Sequence, residues 1–450
     1  MRIMIVGAGM VGYHLSEKLS GEGQEVVLID QDDNKLRRIE RDLNVLPVLG
    51  SGASARVLEE AGIDKTDLFI AVTDSDEVNL ISCIISKQYN VKTRIARVRN
   101  EDFYAQGTAQ AERALGIDLL ISPDLAITEE IMRLITMSQA FEVAEFARGR
   151  IELLGYNAQA GQPCVGKSLQ DLRDLQGIYD FVIVAISRNN KTIIPRGKDR
   201  IEVGDKVYLV MRKKDVPPVE NLLFNAASHA PKNAFIVGGG TIGYLVARQM
   251  EQKKINVRLV EQNSKRCEFL AEQLEHTVVL NSNGLEAHDL LDEGIDQADL
   301  VISVTNSDTT NILSSLLAKH HGAKKCITHI TNPGFIPMLG KLGIDVPLSP
   351  RQVAANMILR FVRGGGKIVN ITTLQGSDAE VIEMKIPNND KFADLPLKYL
   401  EFPMGAIIGA IMRGGEIIIP TGDTLLQPND NLVVFFTKDA LQAVENLFGE

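Results

Sequence analysis

The sequence is short of the features that grip polyanions, cross membranes or bind metals. Its 450 residues hold 48 Lys and Arg against 58 Asp and Glu, a net charge of −10, with no long basic cluster. A chain with that balance does not hold nucleic acid or an anionic membrane by charge, so no nucleic-acid partner is expected. The longest apolar runs, 181–186 and 406–412, fall far below the roughly 18–20 residues a spanning helix requires. No charged start, apolar stretch and cleavage site appear, so no secretory leader is expected. The four cysteines (Cys83, Cys164, Cys267, Cys326) form no CxxC pair. That points to buried thiols in a reducing compartment and to no metal site.

Catalytic patterns are missing too. There is no Tyr-x-x-x-Lys pair after a serine-bearing strand, no His–Asp pair set by motif and no reactive-cysteine context. The seven histidines are scattered, and His14 reads as a surface or packing residue of the first helix. No catalytic residue is assigned. One motif imitates an NTPase: GQPCVGKS at 161–168 satisfies GxxxxGK[ST]. A phosphate loop needs successive backbone N–H donors, and Pro163 removes one. The corresponding segment of the second half, IPNNDKFADLPL at 386–397, lacks the pattern.

What is present is a duplication. MRIMIVGAGMVG at 1–12 returns as NAFIVGGGTIG at 233–243. DLFIAVTDSDEVNL (67–80) matches DLVISVTNSDTTNI (299–312), and GIDLLISP (116–123) matches GIDVPLSP (343–350). IIPRGKDRIEVGDKVYLV (193–210) matches IIPTGDTLLQPNDNLVVF (418–435). The offset stays at about 225–232 residues, from Ile193/Ile418 to Thr73/Thr305. Such a register is the mark of a repeated unit, which must be recognised before any fold is assigned.

Within each unit, continuous apolar strands alternate with amphipathic helical stretches over the first ~140 residues, the pattern of a buried parallel sheet with helices on both faces. In the first copy the strands fall near 3–6, 25–29, 45–49, 68–72, 94–98 and 119–121, with helices at 13–20 and 35–42. Strand-like runs broken by Gly, Asn and Pro follow at 151–158, 179–188, 191–195 and 205–211, with a helix at 168–175. The fold class expected is α/β: two Rossmann-like doubly wound parallel-sheet domains, each followed by a small α+β module. The expected boundaries are 1–139, 140–224, a linker at 225–231, 232–365 and 366–450. The hinge region 213–232 carries Pro217, Pro218 and Pro231 around a helical segment.

Gly7-Ala8-Gly9-Met10-Val11-Gly12 is a GxGxxG between strand and helix, and Asp30 ends the next strand. Gly7 permits the tight turn, Gly9 lets backbone approach a pyrophosphate, and Gly12 lets helix and strand pack closely. The helix N-terminus turns free N–H groups toward phosphates. Asp30 suits ribose hydroxyls and repels a 2′-phosphate, and no Arg follows it to rescue one, which favours NAD(H), or ADP and ATP, over NADP(H). Ser51, in Gly50-Ser51-Gly52-Ala53, follows the third strand where an adenine edge would lie. Thr73 and Asp74 end the fourth strand beside the switch point. Arg97 and Arg99 share one face of the fifth strand, and Arg97 is the candidate phosphate clamp. The second copy repeats the set with Gly238, Gly239, Gly240, Thr241, Ile242, Gly243, Glu261, Thr305 and Asn306. His329 and Thr331 replace the two arginines there, so a weaker grip on terminal phosphates is expected. Two nucleotide folds without substrate machinery point to ligand sensing.

These residues together resemble the TrkA family of Trk system potassium uptake proteins, built from tandem RCK (KTN) domains with RCK-C modules. GAGMVG, Asp30, LGSGAS, AVTDSDEVN and RIARVRN carry the resemblance in the first copy; VGGGTIG, Glu261, SVTNSDTTN and GDTLLQPNDNLVVF carry it in the second. The family often has Gly-Asp-Ala after the third strand; here stand Gly50-Ser51-Gly52 and, in the second copy, Asn281-Ser282-Asn283. The resemblance implies a cytoplasmic regulatory subunit, peripheral on the inner face of the plasma membrane and commonly a tetrameric ring. It would bind NAD(H) and adenine nucleotides and act on a membrane potassium-translocating subunit of the TrkH/TrkG type, with potassium as the transported ion. Two alternatives stay open: an NAD-dependent oxidoreductase, and a soluble gating-ring regulator of another cation channel or transporter.

Overall fold

Near-continuous apolar strands need a sheet covered on both faces, and the chain builds two of them. In the first repeat of the computed structural model the elements alternate as β1 (Arg2–Val6), α1 (Met10–Gly21), β2 (Glu25–Asp30), α2 (Asp33–Asp42), β3 (Leu46–Leu49), α3 (Ala55–Glu60), β4 (Leu68–Ala71), α4 (Asp76–Gln88), β5 (Thr93–Arg97), α5 (Thr108–Leu115), β6 (Leu119–Ile121) and α6 (Pro123–Ile135). The six strands run parallel in the order β3-β2-β1-β4-β5-β6. The chain goes outward from β1 on one side, then returns and builds on the other side from β4. The crevice between β1 and β4 is therefore the switch point. β4 is buried along its whole length, and Met4, Val6, Phe69 and Ala71 share a core with Leu58, Leu80 and Cys83.

A small antiparallel module follows: β7 (Glu142–Phe146), β8 (Ile151–Asn157), α7 (Leu169–Asp174), β9 (Phe181–Arg188), β10 (Lys191–Ile193), β11 (Lys206–Arg212) and α8 (Val216–Phe224). The sheet order is β10-β9-β11-β8-β7. Its strands were legible in sequence except β7, an edge strand. Arg188 clasps the buried Asp205 through two hydrogen bonds of 2.8 Å, tying β9 to the turn before β11.

The second repeat restates both parts. Its Rossmann sheet comprises β12 (Asn233–Val237), α9 (Thr241–Gln252), β13 (Asn256–Glu261), α10 (Ser264–Gln273), β14 (Val278–Asn281), α11 (Ala287–Asp292), β15 (Leu300–Ser303), α12 (Asp308–His320), β16 (Lys325–His329), α13 (Ile336–Leu339), β17 (Val346–Leu348) and α14 (Pro350–Arg363). The order β14-β13-β12-β15-β16-β17 is the same. Its module contains β18 (Ile368–Thr373), β19 (Ala379–Lys385), β20 (Ala406–Arg413), β21 (Glu416–Ile418), β22 (Asn431–Thr437) and α15 (Leu441–Phe448). Arg413 clasps Asp430 at 2.9 and 2.8 Å, the counterpart of the Arg188–Asp205 pair.

The structure describes residues 1–103, 107–135, 140–147, 149–174, 180–189, 191–225, 231–363, 368–374, 377, 379–386, 396–400 and 402–448. The expected linker 225–231 falls outside this set at 226–230, as do the boundary residues 139, 365 and 366, residue 175 of the expected helix, and 387–395 of the IPNNDKFADLPL segment. By contacts the chain forms two compact units, Met1–Glu130 with Ser349–Leu359, and Ile131–Leu348 with Arg360–Glu450. The division does not follow the repeat: most of α14, a second-repeat helix, belongs with the first Rossmann sheet. Among the described residues no helix is long and apolar enough to cross a membrane.

Candidate functional site

The first glycine turn is fixed by contacts that a side chain would abolish. Gly7 holds a left-handed backbone, φ +110°, and its N–H donates to Ile29 O at 2.8 Å. A Cβ on Gly12 would lie 1.8 Å from Gly7 O. The third glycine thus serves the approach of α1 to the carbonyl of its own turn, and the same Cβ would also touch Val72 Cγ2, just past β4, at 3.6 Å. A Cβ on Gly9 would meet nothing within 4 Å, so open space lies over this residue at the N-cap of α1.

Asp30 braces the turn from β2. Its carboxylate accepts from Ala8 N at 2.6 Å and from Asp32 N at 2.8 Å. Across the switch point the end of β4 is locked by Asn79, a residue to which the sequence reading gave no role. Asn79 Oδ1 accepts from Thr73 N and Oγ1, and its Nδ2 donates to Thr73 O and, at 2.9 Å, to Arg97 O. A buried amide with each hydrogen-bonding atom engaged joins the β4 and β5 ends rigidly. The repeated Asn of DSDEVN and NSDTTN was the available signal.

A cavity of about 530 Å³ opens here, within the size range of small-molecule sites. Of the expected residues it is lined by Gly7, Gly9, Met10, Val11, Asp30, Thr73, Asp74 and Arg97. Ala8, Gly12 and Ser51 do not line it: Ala8 and Gly12 are buried beneath the turn, and the Ser51 hydroxyl accepts from Ala53 N at 3.3 Å. Gly50, Gly52 and Arg99 do line it, and so, among residues not foreseen, do the cationic Lys35 and Arg351 of α14. Arg97 Nη1 donates to Thr73 O at 3.3 Å and to Asp74 Oδ1 at 3.2 Å. Burial, and then repulsion from Arg99, lower the Arg97 pKa, against the opposing pull of Asp74. Its Nε is buried without a hydrogen-bond partner. Such an unmet cationic donor beside a glycine turn fits the phosphates of an adenine nucleotide or dinucleotide. Gly7–Gly12 and Arg97 would hold those phosphates, and Asp30 a ribose.

The second crevice keeps the backbone and changes the chemistry. Gly238 has φ +111°, and a Cβ on Gly243 would lie 1.9 Å from Gly238 O. Gly240 caps α9, of which Thr241 and Ile242 begin the first turn. Glu261 accepts from Gly239 N and Asn263 N, each at 2.8 Å. Asn311 engages Thr305 N, Thr305 Oγ1, Thr305 O and His329 O as Asn79 does in the first copy. Asn306 is exposed where the first site has Asp74. The counterpart of Lys35, Arg266, donates through Nε to Gly239 O at 2.6 Å and stacks 4.6 Å from the Phe269 ring.

Strand register corrects one expectation. Asp30 pairs with Leu49 and Glu261 with Asn281, so Asn281 corresponds to Leu49 and not to Gly50. The counterpart of Gly50-Ser51-Gly52 is Ser282-Asn283-Gly284. A Cβ on either Gly52 or Gly284 would meet a valine methyl of β1 or β12 at 2.2 Å, which explains why glycine returns there.

The imitation phosphate loop spends the N–H groups of residues 164–168 within the module. Cys164 N donates to Leu223 O, Val165 N to Gln162 O, Gly166 N to Ile201 O, Lys167 N to Cys164 O and Ser168 N to Asp171. All four cysteines are buried and form no disulfide. His14 lies outside the crevice lining, 3.5 Å from Glu17. A larger cavity, about 950 Å³, lies between the two antiparallel modules; its lining mixes apolar side chains with Arg196, Lys198, Lys398, Asp180 and Asp199 and holds no glycine turn followed by a helix of the kind that binds phosphates.

Fold and crevice define a class: a duplicated Rossmann-sheet protein with a glycine turn at each switch point and a small antiparallel module after each sheet. TrkA-N domain models match residues 3–123 and 234–350, and TrkA-C domain models match 153–223 and 381–449. The chain is 36% identical to the Trk system potassium uptake protein TrkA of Halomonas elongata, over all of this chain and 98% of that one. It is 34% identical to TrkA homolog 1 of Methanosarcina mazei over the full length of both. Among solved structures, the GsuK channel bound to NAD overlays 99% of this chain and 78% of its own, with TM-score 0.62 and 19% identity. The GsuK RCK domain, also at TM-score 0.62 and 19% identity, overlays 99% of this chain and 94% of its own. The chain belongs to the TrkA family of Trk system potassium uptake proteins. Its place is in potassium transport: the relatives are named as Trk system potassium uptake proteins and not as enzymes.

Proposed function

We propose that the protein is a nucleotide-responsive gating subunit that couples NAD(H), ADP or ATP binding to potassium flux through a separate membrane subunit of the TrkH/TrkG type. It acts from the cytoplasm, peripheral on the inner face of the plasma membrane, as a homotetrameric ring. The observation that carries this reading is the first crevice: a cationic cavity at the switch point, floored by a glycine turn and holding the unmet Arg97 Nε donor. The domains proposed are 1–139, 140–224, 232–365 and 366–450, with 225–231 as linker. The second site uses Gly238–Gly243 (Gly239, Gly240, Thr241 and Ile242 between them), Glu261, Thr305 and Asn306, and binds terminal phosphates more weakly.

A ligand shifts a ring between two shapes only by its differential affinity for them. Phosphate tails of different length engage Arg97 differently, and Arg97 is tied through Asn79 to the ends of both β4 and β5. The load on those strand ends therefore depends on which nucleotide is bound.

Potassium flux in vesicles carrying the membrane subunit, with the full chain and each of NADH, ADP and ATP, tests the reading. Flux should differ among the three, and Arg97→Ala should shrink the ATP-to-AMP affinity ratio about tenfold. Nucleotide-independent flux, or catalytic NADH turnover with a metabolite, would refute it.

A further inference from the structure

The first crevice receives an arginine from the other repeat. Arg351 stands at the start of α14, the helix after the last strand of the second Rossmann sheet, and it lines the cavity with Gly9, Asp30, Thr73 and Arg97. Residues 349–359 belong to the same compact unit as the first Rossmann sheet. This placement lies 344 positions from Gly7 in sequence, and no glycine or strand motif announces it.

Charge gives the placement a meaning. The lining holds Lys35, Arg97, Arg99 and Arg351 against only two carboxylates, Asp30 and Asp74. Asp30 already accepts from two backbone N–H groups. Asp74 is 83% exposed and shared between Arg97 and Arg99, at 3.2 and 3.5 Å. The lining thus carries four cationic side chains and two anionic ones, a composition that suits a polyanion. Nor is Arg351 a residue the duplication supplied to both copies. It follows Ser349-Pro350 where Asp124 follows Ser122-Pro123, so the equivalent residue of the first repeat has the opposite charge.

We propose that Arg351 is a ligand-contacting residue of the first site, supplied by the second repeat, which binds the terminal phosphates of an adenine nucleotide. The proposal rests on the nucleotide-binding reading above and adds to it a residue and a specificity: the site ranks nucleotides by phosphate count. It also gives the bound phosphate a handle on α14. That helix runs unbroken from Arg351 into residues 360–363, which belong to the second unit. A nucleoside triphosphate held by Arg97 and Arg351 thus joins β5 of the first repeat to a helix of the second.

The test uses the full chain and a readout confined to the first crevice. Hydrogen exchange of peptides covering 5–21 is followed as ATP, ADP and AMP are titrated, which gives an affinity for each at that site. Arg351→Gln should weaken ATP about tenfold, ADP less, and AMP not at all, while Arg351→Lys retains most of the ATP preference. The salt dependence of ATP binding should also fall, since one phosphate contact is lost. Exchange of β1 to β6 without ligand reports whether each variant keeps its sheet; should the Gln variant lose it, Arg351→Lys and Arg351→Glu decide. An unchanged ATP-to-AMP ratio in a folded variant that still binds nucleotide overturns the role of Arg351 and leaves the nucleotide site standing. Absence of protection by ATP, ADP, AMP and NADH in the wild-type chain overturns the nucleotide reading itself.

Discussion

At the end of β5 the first crevice carries Arg97 and Arg99; at the end of β16 the second carries His329 and Thr331. Asp74 faces Asn306 across the same comparison, and Lys35, which lines the first cavity, faces Arg266, which is hydrogen-bonded to its own glycine turn. Beneath these differences the backbones agree closely. Each has a left-handed first glycine, a third glycine pressed on the first carbonyl, an acid braced by two N–H groups, and an asparagine locking two strand ends. The scaffold is therefore held by packing constraints common to both copies, while the charge that would select a ligand is free to differ. Fold and specificity sit in separate residues.

The comparison breaks most severely if the two glycine turns are not equivalent. Gly12→Ala and Gly243→Ala each put a methyl group under 2 Å from a backbone carbonyl. Each should cost about 3 kcal/mol in denaturant unfolding, by similar amounts. A cost confined to one copy would show that the repeats tolerate strain differently.

Lys325 marks a difference outside the crevices. It begins β16 where Thr93 begins β5, and its ammonium donates to Leu134 O and Ala140 O at 2.8 and 2.9 Å. Burial lowers its pKa to about 8, against the pull of Asp345 and Glu220. Below that pH the lysine is protonated in folded and unfolded chains alike, and the cost of burying the charge is felt in full. Above it the folded chain sheds the proton while the unfolded chain keeps it to about pH 10.4. The unfolded state then binds more protons, so the Lys325 contribution to stability rises with pH across that window. Wild type should gain about 2 kcal/mol over Lys325→Met between pH 7.5 and 10. A constant difference in unfolding midpoint would show that the ammonium is not desolvated.

Charge transfer between crevices sharpens the comparison directly. Asn306→Asp, His329→Arg and Thr331→Arg together rebuild the first site's strand ends on the second sheet. The second site should then bind ATP about tenfold more tightly, about 1.4 kcal/mol, by site-resolved calorimetry. No gain would mean that the arginines depend on surroundings the second sheet lacks.

The smallest effect concerns the second position of the turn. A Cβ on Gly239 would approach Leu270 Cδ1 to 2.5 Å and Glu261 Cβ to 3.1 Å, whereas Ala8 occupies that position in the first copy. Gly239→Ala should cost about 1 kcal/mol, and Ala8→Gly about 0.5 kcal/mol through added chain entropy. Equal costs in a thermal melt would deny the crowding at Glu261 its part in keeping glycine there.

Much of this was legible because it is periodic or local. The α/β alternation, the glycine turns, Asp30 and Arg97 all follow from spacing within some thirty residues of a strand end. Edge strand β7 was missed because a short run such as EVAEF carries little alternation of its own. The correspondence of Gly52 with Gly284 was misread by one residue, since a sequence match after β3 has no anchor until the Asp30–Leu49 and Glu261–Asn281 pairings supply one. Asn79 was visible as a repeated letter, but its function is geometric: it spans two strand ends that meet only in the sheet.

The sequence alone determined that the chain is a duplicated Rossmann protein with a glycine turn, an acid and a polar strand end at each switch point, because each of these is set by backbone conformation and burial over short range. The tertiary structure alone decided which charges share a cavity. Arg351 joins the first crevice only because the first turns of α14 pack with the first sheet, and no local pattern encodes a meeting between residues 7 and 351. Charge acts through space, over a few ångströms, and so its consequences wait for the fold.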